Sequence, residues 1–417
     1  MALPAEELAA FRAQFDLGEH VYLACASRAP LLRDTLEVGV EATRRKQRPW
    51  QLGADGVESR VRKLFGQVVN CSPQEVAICP STSFSITIAA KTIAAGVQAD
   101  DVVLLLEDQM SSNVYPWTTL RETHGVEVVA VPYAKDGDWT GAILAELGRL
   151  VTRRVAAVAI PIVLWTDGSG PIDLTAVTAV CHAQGRPMRT AVVVDGTQSV
   201  GAVPTDVKAA GVDFLAASVH KWLLGPYGCS LLYVGPEYLN TPQFQPIVHD
   251  EHSYAHMASA DVEVPFDMAV PGYPTELTAA ASRADGGGRP NPILLPMIEN
   301  GLSWVLRLQP ARVAATVQPL VTLLRQRCEE LGLWVPRATG PHIIGVGPGQ
   351  RDACPDQPAV TAWVAAAAAH LKRHKIYVSA KVKVLRVAPH VYNTVEDVEV
   401  FVRVLGEFVA GRRGAKL

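Results

Sequence analysis

Lys221 has the setting most suggestive of chemistry in this chain of 417 residues. It follows the apolar residues 214–217 and the segment Ser218-Val219-His220, and Asp195 ends a second apolar segment upstream. An amine in apolar surroundings loses its charge readily, which makes Lys221 a candidate nucleophile and Schiff-base former. A carboxylate nearby would complement a cationic ring nitrogen. The alternative is a strand-end lysine whose ammonium group reaches solvent, and the other residues must decide between the two.

The segments around Lys221 and Asp195 resemble the core of the fold-type I pyridoxal-phosphate enzymes. Asp195-Gly196-Thr197-Gln198 and Ser218-Val219-His220-Lys221-Trp222 are similar to the class V aminotransferase family, which includes cysteine desulfurases, kynureninases and epimerase-like members. The resemblance extends from about Tyr22 to Asp397. It implies pyridoxal phosphate as the cofactor, Lys221 as the catalytic lysine that carries it, and Asp195 as the partner of the pyridine nitrogen.

The resemblance also implies roles for the polar residues of these two segments. Thr197 would lie against one face of the cofactor ring, and Gln198 would donate a hydrogen bond towards the phenolic oxygen. Ser218 and His220 would help to hold the phosphate.

Two further positions are assigned to the cofactor on the same grounds. Met110 stands where relatives usually carry an aromatic residue or a histidine stacked on the ring. A thioether can pack on a ring face but cannot transfer a proton, so a mechanism that needs a histidine there is not expected. Thr166 falls where family members contact cofactor or substrate, and an ordinary turn is the alternative.

Thr82 and Ser83 lie in a turn between a predicted strand and a helix predicted over 84–94. The free backbone N–H groups and the dipole of a helix start favour an anion, and the two hydroxyls can add hydrogen bonds. An ordinary helix N-cap is the alternative. The turn resembles the family's phosphate-binding turn. We therefore expect Thr82 and Ser83 to bind the cofactor phosphate.

The glycine-rich loop 285–291 resembles a family loop that reaches the cofactor phosphate of the neighbouring subunit. Gly287 and Gly288 are its candidate cofactor-binding residues, although many relatives have a threonine where this chain has Gly288. A backbone contact remains possible there, whereas a hydroxyl contact is lost. The resemblance implies a homodimer with shared active sites.

Residues 383–394 resemble the family segment whose arginine binds the α-carboxylate of an amino-acid substrate. Arg386 suits that role because a guanidinium group makes a planar, bidentate pair with a carboxylate. A surface arginine at a strand end is the alternative. We also place Tyr22, Ala24 and Ser27, from an extended entry segment, on the substrate side.

The reaction depends on whether a nucleophilic cysteine is present. Cysteine desulfurases carry one on a loop shortly before the carboxylate-binding arginine, but residues 370–377 contain none. Cys354 lies further upstream in surroundings that do not match that loop. Many relatives also carry Arg-Gly after the Val-Ser of this region, whereas this chain has Val378-Ser379-Ala380-Lys381, so its substrate side is expected to differ.

We therefore expect a lyase that breaks the C–S bond of an S-conjugated cysteine by β-elimination, as occurs in secondary metabolism. An aminotransferase, or a decarboxylating or oxidative deaminase, is the alternative on the same type of substrate. Desulfuration and epimerisation are less expected. A binding protein without cofactor would be expected to have lost Lys221 or Asp195, and both are present.

The elements around these residues alternate between apolar segments and helical patterns. Such strands, covered by helices on both faces, predict an α/β fold with a mainly parallel sheet, of the seven-stranded type in this family. Right-handed crossovers would bring the polar residues after each strand to one edge. We expect residues 1–30 to join a smaller α+β C-terminal domain at 296–417, and residues 31–295 to form the large cofactor-binding domain.

The composition excludes several classes of partner. With 49% hydrophobic residues and a net charge of −3, the chain is globular and has no electrostatic case for nucleic acid. No apolar stretch is long enough to span a membrane, and the start does not resemble a signal peptide. Seven cysteines without CxxC spacing indicate the cytoplasm. His249, His252 and His256 lack an HExxH motif, so we predict no metal site.

Overall fold

The centre of the molecule is a seven-stranded sheet, in a computed structural model that describes residues 1–51, 56–183, 189–250, 253–255, 275–288, 291–349 and 357–413. The strands of the chain are β1 (Val21–Tyr22), β2 (Val76–Cys79), β3 (Val102–Leu106), β4 (Glu127–Val131), β5 (Val155–Pro161), β6 (Ala191–Asp195), β7 (Phe214–Ser218), β8 (Ser230–Val234), β9 (Ile344–Val346), β10 (Ile376–Tyr377), β11 (Ser379–Ala380) and β12 (Leu385–Val387). The central order is β2-β8-β7-β6-β5-β3-β4, with β8 antiparallel to both neighbours and the other pairs parallel. The predicted mainly parallel, seven-stranded α/β fold is confirmed.

Helices cover the sheet and continue into the C-terminal part. They are α1 (Ala5–Arg12), α2 (Arg33–Lys46), α3 (Val57–Val69), α4 (Thr82–Ala94), α5 (Tyr115–His124), α6 (Trp139–Arg149), α7 (Leu174–Ala183), α8 (Pro236–Leu239), α9 (Leu294–Leu308), α10 (Pro310–Glu330), α11 (Gln357–Arg373) and α12 (Val395–Arg413). None of the helices in the described ranges is both long and apolar enough to cross a bilayer.

The continuous apolar strands reflect burial on both faces of the sheet. In β6, Val192 and Val194 pack into one hydrophobic cluster, whereas Ala191 and Val193 pack into another on the opposite face. A strand with helices on both sides needs apolar residues at every position rather than at alternate ones. The same pattern occurs in β5.

The sheet brings the ends of the site-bearing strands together. Asp195, at the end of β6, stands opposite Pro161 of β5 and Ala216 of β7. Ser218 ends β7 two residues beyond Ala216. Parallel strands end at a common edge, and the residues that follow them therefore converge there.

A second, antiparallel sheet, β11-β12-β9, lies in the C-terminal part, and β1 pairs in parallel with β10. The N-terminal segment thus contacts residues far along the chain. The proposed division into 1–30, 31–295 and 296–417 stays a prediction. The helical region that we predict over 298–331 is divided into α9 and α10, because Gln309 adopts a φ of 60° and Pro310 starts a new helix.

Candidate active site

A cavity of about 290 Å³ opens at the edge of the sheet where β6 and β7 end. Its volume is close to the lower end of the range of roughly 300–1,000 Å³ for small-molecule sites. Nine of the predicted cofactor residues line it, namely Thr82, Ser83, Met110, Asp195, Thr197, Gln198, Ser218, His220 and Lys221. The structure therefore brings together residues that are up to 139 positions apart, from Thr82 to Lys221.

Lys221 and Asp195 are the charged residues among those that line this cavity. Burial lowers the pKa of Lys221 to about 8, while attraction to Asp195 opposes the shift and Arg386 adds to it. Burial also raises the pKa of the Asp195 carboxyl group, against hydrogen bonds from Thr197 and the charge of Lys221. One Asp195 oxygen, Oδ1, accepts a hydrogen bond from the Thr197 backbone N–H at 3.0 Å. A cationic N–H group placed in the cavity would favour the ionised form of Asp195.

Three hydroxyl groups meet beside the start of α4. Thr82 Oγ1 lies 3.0 Å from Ser218 Oγ and 3.3 Å from Thr197 Oγ1, and the latter two atoms are also 3.3 Å apart. Ser81 caps the helix by accepting a hydrogen bond from the Phe84 N–H at 3.2 Å. The first-turn N–H groups at Thr82 and Ser83 have no partner within a helix. The cluster thus offers both hydroxyl and backbone donors to an anion.

His220 lines the same cavity in its neutral form. Burial lowers its pKa to about 4, and the charges of Lys221 and Arg28 contribute to the shift. The imidazole stacks on the Tyr227 ring, with centroids 4.1 Å apart and an angle of 18° between planes. A neutral imidazole has one N–H to donate, which suits a phosphate oxygen. The sequence analysis assigned no role to Tyr227, although its position in the turn after Lys221 indicates that it lies near the site.

The orientation of Gln198 is set by its neighbours. Its Oε1 accepts a hydrogen bond from Trp222 Nε1 at 3.0 Å, and its Nε2 donates to the Ala26 carbonyl at 3.0 Å. An indole N–H can only donate, so the amide oxygen must face Trp222. The second N–H of Nε2 has no hydrogen-bond partner among the described residues and remains available for the donation predicted from the sequence. Trp222 is a residue that sequence reasoning did not assign to the site.

Met110 lines the cavity together with Trp165, which sequence reasoning also missed. Trp165 is held by a hydrogen bond from Nε1 to the Asp108 carbonyl at 2.8 Å. Thr166 follows it and does not line the cavity, and its buried Oγ1 has no hydrogen-bond partner among the described residues. Thr166 therefore lies next to the site rather than in its wall, and its cofactor role stays a prediction.

Arg386 is buried and lies beside Trp165 and Ser27. Its Nη1 donates to the Trp165 carbonyl at 2.6 Å and its Nη2 donates to Ser27 Oγ at 2.7 Å. Burial lowers the pKa of this guanidinium group to about 10. Nε has no partner among the described residues, and each terminal nitrogen carries a second N–H. The planar donor fork needed for a carboxylate is therefore partly unoccupied.

Of the other three predicted substrate residues, Ser27 touches Arg386 directly. The Tyr22 hydroxyl donates to the Arg28 carbonyl at 2.8 Å, and burial raises the pKa of Tyr22 to about 12. Ala24 forms a parallel bridge with Ala388. None of the three lines the cavity, and their contact with substrate stays a prediction.

Gly287 and Gly288 lie in a different place from the other predicted cofactor residues. They line a separate cavity of about 180 Å³, which shares Pro80, Gly228 and Cys229 with the first. Both glycines have positive φ angles, 78° and 67°, which favour glycine. The loop before them is held by Asp285, whose Oδ1 accepts a hydrogen bond from the Ile78 N–H at 2.8 Å.

Of the three histidines considered as metal ligands, His249 alone lies among the described residues, and the absence of a metal site there stays a prediction. His252 and His256 lie outside the described residues, and His249 Nδ1 is 2.8 Å from the Tyr254 hydroxyl. On the C-terminal part, ligand atoms of His370, His374 and Glu407 lie within 4.8 Å of one another, but none of these three residues lines the cavity.

The residues present fit pyridoxal phosphate. Lys221 provides an amine of lowered pKa, and Asp195 provides a buried carboxyl group. The hydroxyl cluster and the start of α4 provide donors for a phosphate. Met110 and Thr197 provide contact surfaces for a ring. The arrangement can hold an aldehyde, a ring nitrogen and a phosphate in one cavity.

Comparison with known proteins agrees with this arrangement. The family model "Aminotransferase class-V" matches residues 44–249. A cysteine desulfurase of Pectobacterium atrosepticum is 33% identical over 175 residues, which cover 42% of this chain and 41% of that protein. The chain thus spans about two fifths of the length of the first curated relatives that it matches. An uncharacterized aminotransferase of Bacillus subtilis is 26% identical over 338 residues, covering 81% of this chain and 80% of that protein.

Solved structures share the fold along almost the whole chain. The cystine C–S lyase C-DES, in complex with its product cysteine persulfide, superposes with a TM-score of 0.77 at 17% identity. The match covers 94% of this chain and 98% of that chain. A mutant of C-DES has glycine covalently linked to its pyridoxal-phosphate cofactor. At such low identity, the likeness establishes the fold alone.

Proposed function

Because the chain belongs to the class-V aminotransferase family of pyridoxal-phosphate-dependent enzymes, we propose that it is a lyase that breaks the C–S bond of an S-conjugated cysteine. The observation that carries the proposal is that Lys221 and Asp195 line one cavity. Cys229, the cysteine among the described residues that line it, is a protonated thiol at neutral pH. The overall change is β-elimination, in which the S-conjugate and water give pyruvate, ammonia and a thiol.

When bound, pyridoxal phosphate withdraws electrons from the α-carbon of an attached amino acid. Lys221 would hold the cofactor covalently, Asp195 would hold its ring nitrogen, and the phosphate would bind at Thr82, Ser83, Ser218 and His220. Once released, the Lys221 amine is the candidate base for the α-proton. Its pKa of about 8 suits that role, since a base works best when its pKa is near the working pH.

Arg386 would orient the substrate by its α-carboxylate. Its guanidinium group is anchored through Trp165 and Ser27, so the fork is ordered before the substrate arrives. Ordering a binding group in advance reduces the entropy lost when the ligand binds. The side chain of the substrate would then be directed away from Arg386.

The state of the cysteines supports elimination over desulfuration. Cys25 is fully buried and burial raises its pKa to about 12; Cys229 lines the cavity and burial also raises its pKa to about 12. Both thiols are therefore protonated at neutral pH, whereas a persulfide-forming cysteine must react as a thiolate. Cys354 lies outside the described residues.

An aminotransferase is the second candidate, favoured by the match to the B. subtilis protein along most of the chain. The same Lys221 could return the proton at another carbon, with an α-keto acid as co-substrate. A decarboxylating or oxidative deaminase would use the same residues. Desulfuration has less support, because a reactive thiol at the cavity is lacking in the described chain. Epimerisation stays a less expected outcome.

We further propose that the enzyme works as a homodimer. The glycine cavity around Gly287 and Gly288 adjoins the main cavity through Gly228 and Cys229, and both Tyr227 and Gly228 are exposed. A partner subunit could cover this surface and complete the phosphate site. Light scattering coupled to size-exclusion chromatography should give twice the mass of 44.7 kDa. A monomeric holoenzyme with full activity would contradict the proposal.

The reaction is tested with cofactor-loaded protein and a set of S-alkylcysteines. We expect equal amounts of pyruvate and free thiol, with no requirement for an α-keto acid. Consumption of an added α-keto acid without release of thiol would exclude the lyase and favour the aminotransferase. Lys221→Ala is the control, since it keeps the cavity but removes the base. It should also abolish the borohydride-reducible absorption band of the cofactor.

A further inference from the structure

Lys381 is a second amine beside the candidate active site. It begins the turn between β11 and β12, and its backbone N–H donates to the Val384 carbonyl at 2.8 Å. In this hairpin Ser379 stands opposite Arg386, and Ser379 Oγ lies 2.5 Å from Ser27 Oγ, the same atom that accepts from Arg386. The position of Lys381 is therefore tied to that of the predicted carboxylate-binding arginine.

Lys381 and Arg386 lie at the same indole ring. Lys381 Nζ is 4.9 Å from the centroid of the Trp165 ring, and Arg386 Cζ is 5.9 Å from it. Trp165 lines the cavity and is fixed at both its indole N–H and its carbonyl. Cation–π contact of this kind stabilises a charged group without neutralising it. Trp165, a residue of the cavity wall, thus has two cations side by side at its ring.

No anion in the described part of the chain balances Lys381. Burial, together with the charges of Arg386 and Lys221, lowers the pKa of Lys381 to about 8. The charged groups that shift its pKa, Arg386 and Lys221, are both cations. By contrast, Lys383 in the same turn pairs with Asp108, with Nζ 3.6 Å from Oδ2. Lys381 remains mostly protonated at neutral pH, since its pKa stays above 7.

Apart from the phosphate, which the start of α4 and its hydroxyl cluster would hold, the charges around the cavity can be matched one by one. Asp195 would pair with the ring nitrogen of the cofactor, Lys221 would be bound to the cofactor, and Arg386 would pair with the α-carboxylate. One cation, Lys381, is left without a counter-charge among the groups that the described chain and a simple amino acid provide. A half-buried cation in this position is stabilised most by an anion on the ligand itself.

Resting on the proposed lyase function, we propose that Lys381 binds a second acidic group on the substrate side chain. The favoured substrates would be cysteine S-conjugates with a carboxylate or similar oxyanion beyond the sulfur. The α-proton leaves to a base and the β-carbon–sulfur bond breaks with its electron pair on sulfur. The products are then a mercapto acid, pyruvate and ammonia, formed with uptake of one water.

The test uses two substrates of nearly equal shape, S-carboxymethylcysteine and its neutral amide, S-carbamoylmethylcysteine. We expect the holoenzyme to prefer the acid, and Lys381→Met to lower kcat/KM for the acid by about 10- to 100-fold, as for loss of a charge-assisted hydrogen bond. The kcat/KM of Lys381→Met for the amide should change by less than about threefold, because the neutral amide does not use the charge of Lys381. Lys381→Arg should retain most of the preference.

Lys383→Met is the matched control. It removes a positive charge from the same turn, but a charge that already has Asp108 as its partner. It should leave the acid-to-amide preference unchanged. The proposal is overturned if Lys383→Met removes the preference as well. It is also overturned if Lys381→Met lowers kcat/KM equally for both substrates, or changes kcat/KM for neither.

A binding measurement separates this proposal from the proposed reaction. Calorimetric titration of the holoenzyme with succinate and with succinamate compares ligands that share one carboxylate and differ in the second. If neither cysteine conjugate is cleaved, the lyase proposal fails. Tighter binding of succinate that Lys381→Met abolishes would still support the anion site, whereas equal affinities for both ligands would refute it.

Discussion

Replacement of Asp195 by asparagine tests the central feature of the site. The change keeps the shape of the side chain and an oxygen that can accept from the Thr197 N–H. It removes the charge that would hold the cofactor's ring nitrogen in its cationic form. Loss of one partner of a buried, hydrogen-bonded charge pair costs about 3–5 kcal/mol. If that loss falls on the transition state, kcat should decrease by about 10²- to 5 × 10³-fold.

The effect on stability should have the opposite sign. Because burial raises the pKa of the Asp195 carboxyl group, its ionisation opposes folding of the cofactor-free protein. The free energy of unfolding is therefore highest at low pH, where the carboxyl group is protonated, and it decreases as the pH rises through the folded-state pKa of Asp195. Asp195→Asn removes this dependence, so the cofactor-free variant should be at least as stable as the parent at neutral pH.

The assay combines three measurements on each variant: the absorption band of the bound cofactor, the rate of pyruvate release and the melting temperature without cofactor. Asp213→Asn is the matched control, because Asp213 is a buried carboxylate at the other end of β7. It accepts from the Val192 N–H at 2.7 Å and pairs with Arg189. We expect this variant to lose stability and keep its kcat.

Full turnover by Asp195→Asn with normal cofactor content would refute the assigned role of Asp195. A large drop in melting temperature for that variant would instead indicate that the carboxyl group holds the fold together. The two outcomes are distinguishable because they appear in different measurements.

Other predictions concern the remaining groups of the site. The rate at which cofactor-free protein takes up pyridoxal phosphate should rise about tenfold from pH 7 to a plateau above pH 8, because Lys221 reacts as the neutral amine and its pKa is about 8; a rise that continues unchanged to pH 10 would contradict this. Arg386→Lys should lower kcat/KM by about 10- to 100-fold with an unaltered cofactor spectrum, because lysine cannot form the bidentate pair; an unchanged KM would exclude a carboxylate clamp. Cys25→Ala should keep kcat within about twofold, since a buried, protonated thiol is not a nucleophile; a large loss of thiol release in a folded variant would restore the desulfurase alternative.

Much of the fold could be predicted because its signals are local. The strands at 155–161 and 230–234 can be recognised from their continuous apolar residues, since a strand buried on both faces is apolar throughout. The break at Gln309 could not be predicted with the same certainty. A single proline is compatible both with a kink and with the start of a new helix, and packing decides between them.

Within the site, the sequence also indicated the kinds of group but not their surroundings. Nine cofactor candidates converge on one cavity, whereas Thr166, Gly287 and Gly288 lie outside it. Trp165, Trp222 and Tyr227 went unassigned because an aromatic residue between strands is usually part of a core. Only their contacts with Gln198, His220 and Arg386 distinguish them.

The sequence by itself determined that this chain carries a lysine, an aspartate, a hydroxyl-rich helix start and an arginine, in the order of a pyridoxal-phosphate enzyme. Tertiary structure decided which of them share a cavity and how burial shifts their pKa values. It also placed Lys381 next to Arg386 at the Trp165 ring, and joined Arg386 to Ser27 across 359 positions of the chain. Burial and charge proximity arise between segments distant in sequence, so they follow from the packing of the whole chain rather than from any local pattern.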